Sequence, residues 1–209
     1  MCDPTGPIKN LSTKDSPPKI AIVGGGIVGL ASAYYPARRG AKVTVFEQGT
    51  IGNGSTSLAA GGIRTQFNRQ ADIQMMIESV EMWEQFNESF DTDIRYSQAG
   101  YLLGIQDSDQ LAAMKDVLAL QREQGLNNRL LTPEEATKHC PGLIPDRFEA
   151  VAYGPTDGYL HPHSALMGFK EAAEDVGVTI RTNCAVTDLI QYANGRVVGV
   201  STEDGKARA

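Results

Sequence analysis

Three glycines at fixed spacing, Gly24, Gly26 and Gly29, are the residues of this chain best suited to chemistry. A G-x-G-x-x-G run between a strand and a helix makes a tight turn, lets backbone approach a pyrophosphate and lets helix pack closely on strand. The amides around Gly26 to Val28 then face an anion from the positive end of a helix dipole. Glu47 follows about 20 residues later, the separation at which a carboxylate hydrogen-bonds a ribose diol. Together these residues predict a dinucleotide site. The rest of the chemical inventory is thin. No Ser-His-Asp set and no paired carboxylates stand at persuasive spacing. His161 and His163 flank Pro162 at a helix start without a third ligand type nearby, so no metal site is expected.

The elements that must hold the glycines can be read on either side of them. Ile20-Ala21-Ile22-Val23 is an apolar run suited to a strand buried on both faces of a parallel sheet. A helical pattern of Ile27, Leu30, Ala31, Ala33 and Tyr34 continues to Gly40, with Pro36 inside it as the source of a kink or a weak last turn. Residues 42–46 form a second β-rich run that ends on Glu47. From Gln48 to Arg64 small and hydroxylated residues dominate. Backbone there can approach something flat and bulky, and hydroxyls can reach phosphate or ring heteroatoms, unless the segment is only a surface loop.

Further on, apolar spacing predicts a long amphipathic helix over 68–90 and a second over 108–124. Short strands are expected at 94–96, 101–105 and 148–153. Thr132-Pro133-Glu134-Glu135 is a capping-box helix start. A helix over about 164–176, a buried strand at 178–181 and a hairpin of 185–192 with 196–201 around Ala193-Asn194-Gly195 complete the pattern.

Composition narrows the partners. Of 209 residues, 41% are hydrophobic, enough for a real core, and the net charge of -6 comes with no basic cluster. Nucleic acid and anionic membrane surfaces are therefore excluded as partners, and no apolar segment reaches the roughly 20 residues that span a bilayer. Cys2, Cys140 and Cys184 are widely spaced, which fits reduced thiols and a cytoplasmic setting. Residues 1–18 are polar with four prolines and read as a disordered tail, with neither a secretory signal nor a typical mitochondrial presequence.

With the glycine fingerprint, the Gly54-Ser55-Thr56…Ala59-Ala60-Gly61-Gly62 loop and Asp157-Gly158-x-x-x-Pro162 in this order, the chain resembles the FAD-dependent amine oxidoreductases of the D-amino-acid oxidase, sarcosine oxidase and dimethylglycine dehydrogenase superfamily. The resemblance covers about 19–201. It implies an α/β fold: a Rossmann-type FAD-binding domain of the glutathione-reductase kind with an inserted α+β substrate domain. Residues 19–90 would be the first part of the FAD domain, 91–159 a partial substrate or cap domain, and 160–209 the second, incomplete part. The resemblance places strand 178–181 beside 42–46 and then 20–23, with further parallel strands beyond. The chain is thus expected to be a truncated form whose exposed edge at 20–23 needs a partner chain or a dimer contact.

The resemblance also implies site residues. Gly24, Gly26, Ile27, Val28, Gly29, Glu47, Gln48, Ser55, Thr56, Ala60, Gly61 and Gly62 would hold FAD, and Val186 would contact its adenine side through backbone. Relatives that bond covalently to flavin carry histidine in this loop where the chain has Leu58, so non-covalent FAD is expected. The implied reaction oxidises a small amine or amino acid by hydride transfer to flavin. Arg64 is the candidate partner for a substrate carboxylate, the other reading being an ion pair with a structural acid. The truncated form would have little or no activity alone. Two further readings stay open: a non-catalytic FAD-binding module or assembly factor, for which association with mitochondria is open, and an NAD-dependent dehydrogenase.

Overall fold

The computed structural model describes residues 17–208, so the tail expected over 1–18 falls outside the described residues apart from Pro17 and Pro18. Elements in chain order are β1 (Lys19–Val23), α1 (Ile27–Arg38), β2 (Lys42–Phe46), β3 (Gly62–Ile63), α2 (Gln70–Glu84), α3 (Phe86–Phe90), β4 (Tyr101–Ile105) and α4 (Ser108–Glu123). Then follow β5 (Arg129–Leu131), α5 (Pro133–Ala136), β6 (Ala150–Gly154), β7 (Gly158–Tyr159), α6 (Pro162–Asp175), β8 (Thr179–Arg181), β9 (Val186–Gln191), β10 (Val197–Thr202) and β11 (Gly205–Arg208). The chain forms two compact units. One holds 17–59, Glu88–Ile94 and 162–208; the other holds Ala60–Asn87 and Arg95–His161. The sequence suggests boundaries at 90/91 and 159/160 instead. The segment Ala60–Asn87 groups with Arg95–His161, where α2 packs against α4.

The first unit is built on a parallel sheet of order β1-β2-β8, with Ile20 opposite Val43 and Thr44 opposite Thr179. Helix α1 packs against α6 through Leu30, Ala33, Tyr34 and Ala37, an i, i+3, i+4, i+7 stripe. Rings of Tyr34, Phe90 and Phe169 meet there at centroid distances of 5.1 to 6.4 Å. Pro36 falls in the last turn of α1, and the helix ends two residues later, so the missing N–H leaves the glycine end undisturbed. An antiparallel meander of order β11-β10-β9 contributes Val200 to a cluster with Phe46 and Cys184, against which Ala21, Val186 and Ala207 pack. Strand β1 is terminal in its sheet and only half-buried, with Val23 59% exposed, so its apolar run is not covered on both faces.

The second unit centres on an antiparallel sheet of order β4-β6-β5, with every residue of β6 buried. Ile105, Ala150 and Ala152 form its core with Leu103, Leu111, Met114 and Leu130. Gln121, on the apolar face of α4, is 1% exposed; its amide donates to the Phe67 carbonyl at 2.8 Å and accepts from Asn128 Nδ2 at 2.9 Å. The two-residue strands β3 and β7 pair, Gly62 with Tyr159 and Ile63 with Gly158. The strand expected at 94–96 does not form. Arg95 adopts a φ of 51°, which breaks extended backbone, and pairing is left to a single bridge between Ser97 and Tyr159.

Candidate functional site

An open cleft of about 670 Å³ lies in the first unit at the start of α1, lined by Gly24, Gly26, Ile27, Val28 and Gly29, by Glu47 and Gln48, and by Ser55 and Thr56. The sheet delivers these residues to one place. Parallel pairing of β1 with β2 brings their C-terminal ends side by side, and Gly24 N donates to Phe46 O at 2.8 Å where both strands finish. Gly24 then takes a φ of 104°, a conformation that favours glycine. A Cβ on Gly29 would collide with the Gly24 carbonyl, so only glycine lets the helix start this close to the strand.

Glu47 is engaged at both oxygens. Gly25 N donates to Oε2 at 2.7 Å and Gly49 N to Oε1 at 2.8 Å, so the carboxylate ties together the two glycine segments on either side of the cleft. Each oxygen keeps a second lone pair with which to accept a hydroxyl. The first amides of a helix have no intrahelical acceptor. Here Ile27 N donates to Thr56 Oγ1 at 3.2 Å. A Cβ on Gly26 would sit 3.2 Å from that same oxygen, inside the cleft, so this glycine keeps open the space a diphosphate would fill. The residues present therefore fit a dinucleotide: amides at a helix start for phosphate, a fixed carboxylate for ribose, and backbone bare of side chains between them.

Other expected residues lie elsewhere. Val186 opens β9 and its side chain packs against the Phe46, Cys184 and Val200 cluster. Leu58 is 87% exposed. Ala60, Gly61, Gly62 and Arg64 belong to the second unit. Gly61, at a φ of 78°, accepts from Leu160 N at 2.9 Å, and Gly62 opens β3. The Arg64 side chain is exposed, with its guanidinium 5.6 Å from the Tyr101 ring centroid and 5.8 Å from that of Phe67. No acid of the described residues lies within ion-pair distance of it. No group of His, Cys, Asp or Glu suited to a metal occurs among the described residues.

Asp157 has a place that its appearance in a sequence pattern does not reveal. Its side chain is completely buried, and Oδ1 accepts from Thr65 N at 2.7 Å and Thr65 Oγ1 at 2.6 Å. Gln66 Nε2 donates to Oδ2 at 3.0 Å and also to the Tyr101 carbonyl at 3.1 Å. Its neighbour Gly158 is required because a Cβ there would run into the Ser97 carbonyl. Burial raises the pKa of two tyrosines outside the cleft. For Tyr34, nearby Arg38 opposes the shift. For Tyr96, a bond to Gln98 opposes it, and Glu84 and Asp157 add to it.

The sequence profile of the FAD dependent oxidoreductase family matches residues 19–209. The chain is 34% identical over 182 residues to FAD-dependent oxidoreductase domain-containing protein 1 of Xenopus laevis, covering 79% of this chain and 36% of that protein. It is 31% identical over 198 residues to sarcosine oxidase subunit beta of Arthrobacter sp, covering 91% of this chain and 48% of that one. Among solved structures, L-proline dehydrogenase from P. horikoshii superposes with a TM-score of 0.84 at 34% identity, over 92% of this chain and 51% of that chain. The chain thus spans about half or less of the length of these relatives.

Proposed function

We propose, because the chain belongs to the FAD dependent oxidoreductase family, that it forms the FAD-binding portion of an enzyme oxidising a small amine or amino acid. The observation that carries this reading is the cleft at the start of α1, with Gly26 open to it and Glu47 fixed by Gly25 and Gly49. Within it the amides near Gly26 to Val28 bind the diphosphate, Glu47 accepts from the ribose, and Gln48, Ser55 and Thr56 supply further polar contacts. Ala60, Gly61, Gly62 and Val186 remain in the proposed set on the strength of the family resemblance. Bound FAD supplies the hydride acceptor. FAD is held without a covalent bond, since Leu58 offers no nucleophile. NAD is set aside by membership of a FAD dependent family.

Two relatives are named for sarcosine and L-proline, both amino acids with a carboxylate. That supports an amino-acid substrate whose carboxylate is held by Arg64, a planar cation matched to bidentate pairing. Cys140 and Cys184 are both free thiols, which suits a reducing, cytoplasmic setting. No helix among the described residues is long and apolar enough to cross a membrane. The test is spectroscopic. Purified protein reconstituted with FAD should show flavin bands, and added amino acid with a dye acceptor reports turnover. Absence of the bands overturns the cofactor site; turnover shows an enzyme active on its own, and bands without turnover fit an incomplete enzyme as well as the non-catalytic reading.

A further inference from the structure

Asp157 is a buried carboxylate whose hydrogen-bond donors are all neutral. A charge out of water costs several kcal/mol unless it is well satisfied. The side chain does not draw on Arg64, the cation adjacent to its own partner Thr65. Both oxygens are satisfied by Thr65 N, Thr65 Oγ1 and Gln66 Nε2. The bonds reach the residue that follows Arg64 and the strand that carries the Tyr101 ring. Thr65 holds the backbone one residue away. Gln66 Nε2 bridges Asp157 to the Tyr101 carbonyl, and Gly100 N donates to the Asp157 carbonyl at 2.8 Å, which fixes the strand start that carries the Tyr101 ring. Arg64 stands over that ring and the ring of Phe67.

We infer that Asp157 is a positioning residue for Arg64. It ties the Thr65 backbone next to Arg64 to the strand start that carries Tyr101, through neutral donors, and so leaves the Arg64 charge available to a ligand carboxylate. The inference rests on the proposed substrate role of Arg64. The ligand class is a small carboxylate with an apolar body able to lie against Tyr101.

The test uses the whole chain and observes Arg64 directly by NMR. In isotope-labelled protein the Arg64 Nε–H signal, identified by its loss in Arg64→Lys, is followed while benzoate is added, with benzamide as the uncharged isostere. Benzoate alone is expected to shift the signal saturably. In Asp157→Asn the benzoate affinity should fall by about fivefold or more, the effect of one net hydrogen bond. Asparagine keeps an acceptor for Thr65 but opposes its own amide to that of Gln66; turning Gln66 over relieves the clash and cuts the bond to Tyr101. Gln66→Met leaves the carboxylate with Thr65 and should show the same loss, which keeps the test available if Asp157→Asn does not fold. A merely structural role would lower the melting temperature and leave the affinity of the folded protein unchanged. Wild-type affinity in the folded variants overturns the role of Asp157 and leaves that of Arg64 standing. If benzoate does not shift the wild-type signal, both fall.

Discussion

Removing the Glu47 carboxylate strips acceptors from two backbone amides before any ligand is considered, because Gly25 and Gly49 donate to it at 2.7 and 2.8 Å. Glu47→Ala should therefore weaken FAD binding by roughly 1–3 kcal/mol and also lower the melting temperature of the flavin-free protein. Calorimetry with and without FAD separates the two effects; an unchanged apoprotein melt would refute the clamp. Gly26→Val should behave differently. Gly26 has φ -79° and ψ 178°, a conformation valine accepts, so the fold should survive while the side chain fills the phosphate space. Flavin absorbance after reconstitution should be lost with the circular dichroism spectrum unchanged. Tyr34 gives a pH effect of known sign. Burial raises its pKa above 10.0, so the stability it contributes is complete below that pH and is lost as pH rises through the folded-state value. Urea midpoints between pH 9 and 11 should fall, and Tyr34→Phe should flatten the fall.

At the scale of elements, the capping box on α5 is complete. Glu135 N donates to Thr132 Oγ1 at 3.2 Å and Thr132 N to Glu135 Oε2 at 2.9 Å. Thr132→Ala should cost about 0.5–2 kcal/mol, read as a shift in the urea midpoint. This element was legible in the sequence because its signal is local, like the strand–glycine–helix–strand run from Lys19 to Phe46. Strand β11 also left a local trace: Asp204-Gly205 is a hairpin dipeptide, and Gly205 takes a φ of 128° where β10 turns into β11. Other elements carry no such trace. Two-residue strands such as β3 and β7 are too short for any periodicity, and the three-residue β5 exists only because β6 offers it an edge. The apolar stripe over 68–90 shows no break, yet the helix stops at Glu84 and restarts at Phe86. In the cleft the glycines and Glu47 were legible, but the bond from Ile27 N to Thr56 joins residues 29 positions apart; in the second unit the clamp made by Asp157 joins residues more than 90 apart. Spacing within one segment cannot report them.

For the whole molecule, the terminal position of β1 matters most. Its backbone has a strand neighbour on the β2 side only, among the described residues. An uncovered apolar edge invites pairing with another chain. The isolated 209-residue protein should therefore elute from a sizing column at an apparent mass that rises with concentration, and carry less than one FAD per chain. A monomer carrying one FAD and turning over an amino acid would refute this. The same edge has a consequence for exchange with solvent. In a terminal strand alternate amide protons point away from the sheet, whereas β2 has β1 along its whole length on one side and β8 beside Thr44–Phe46 on the other. Deuterium uptake across 19–23 should alternate fast and slow from residue to residue, with no such alternation across 44–46. Whatever completes the sheet, a second copy or another stretch of chain, would slow the fast set and leave the slow set as it was, which makes five residues at the start of the fold a reporter of assembly.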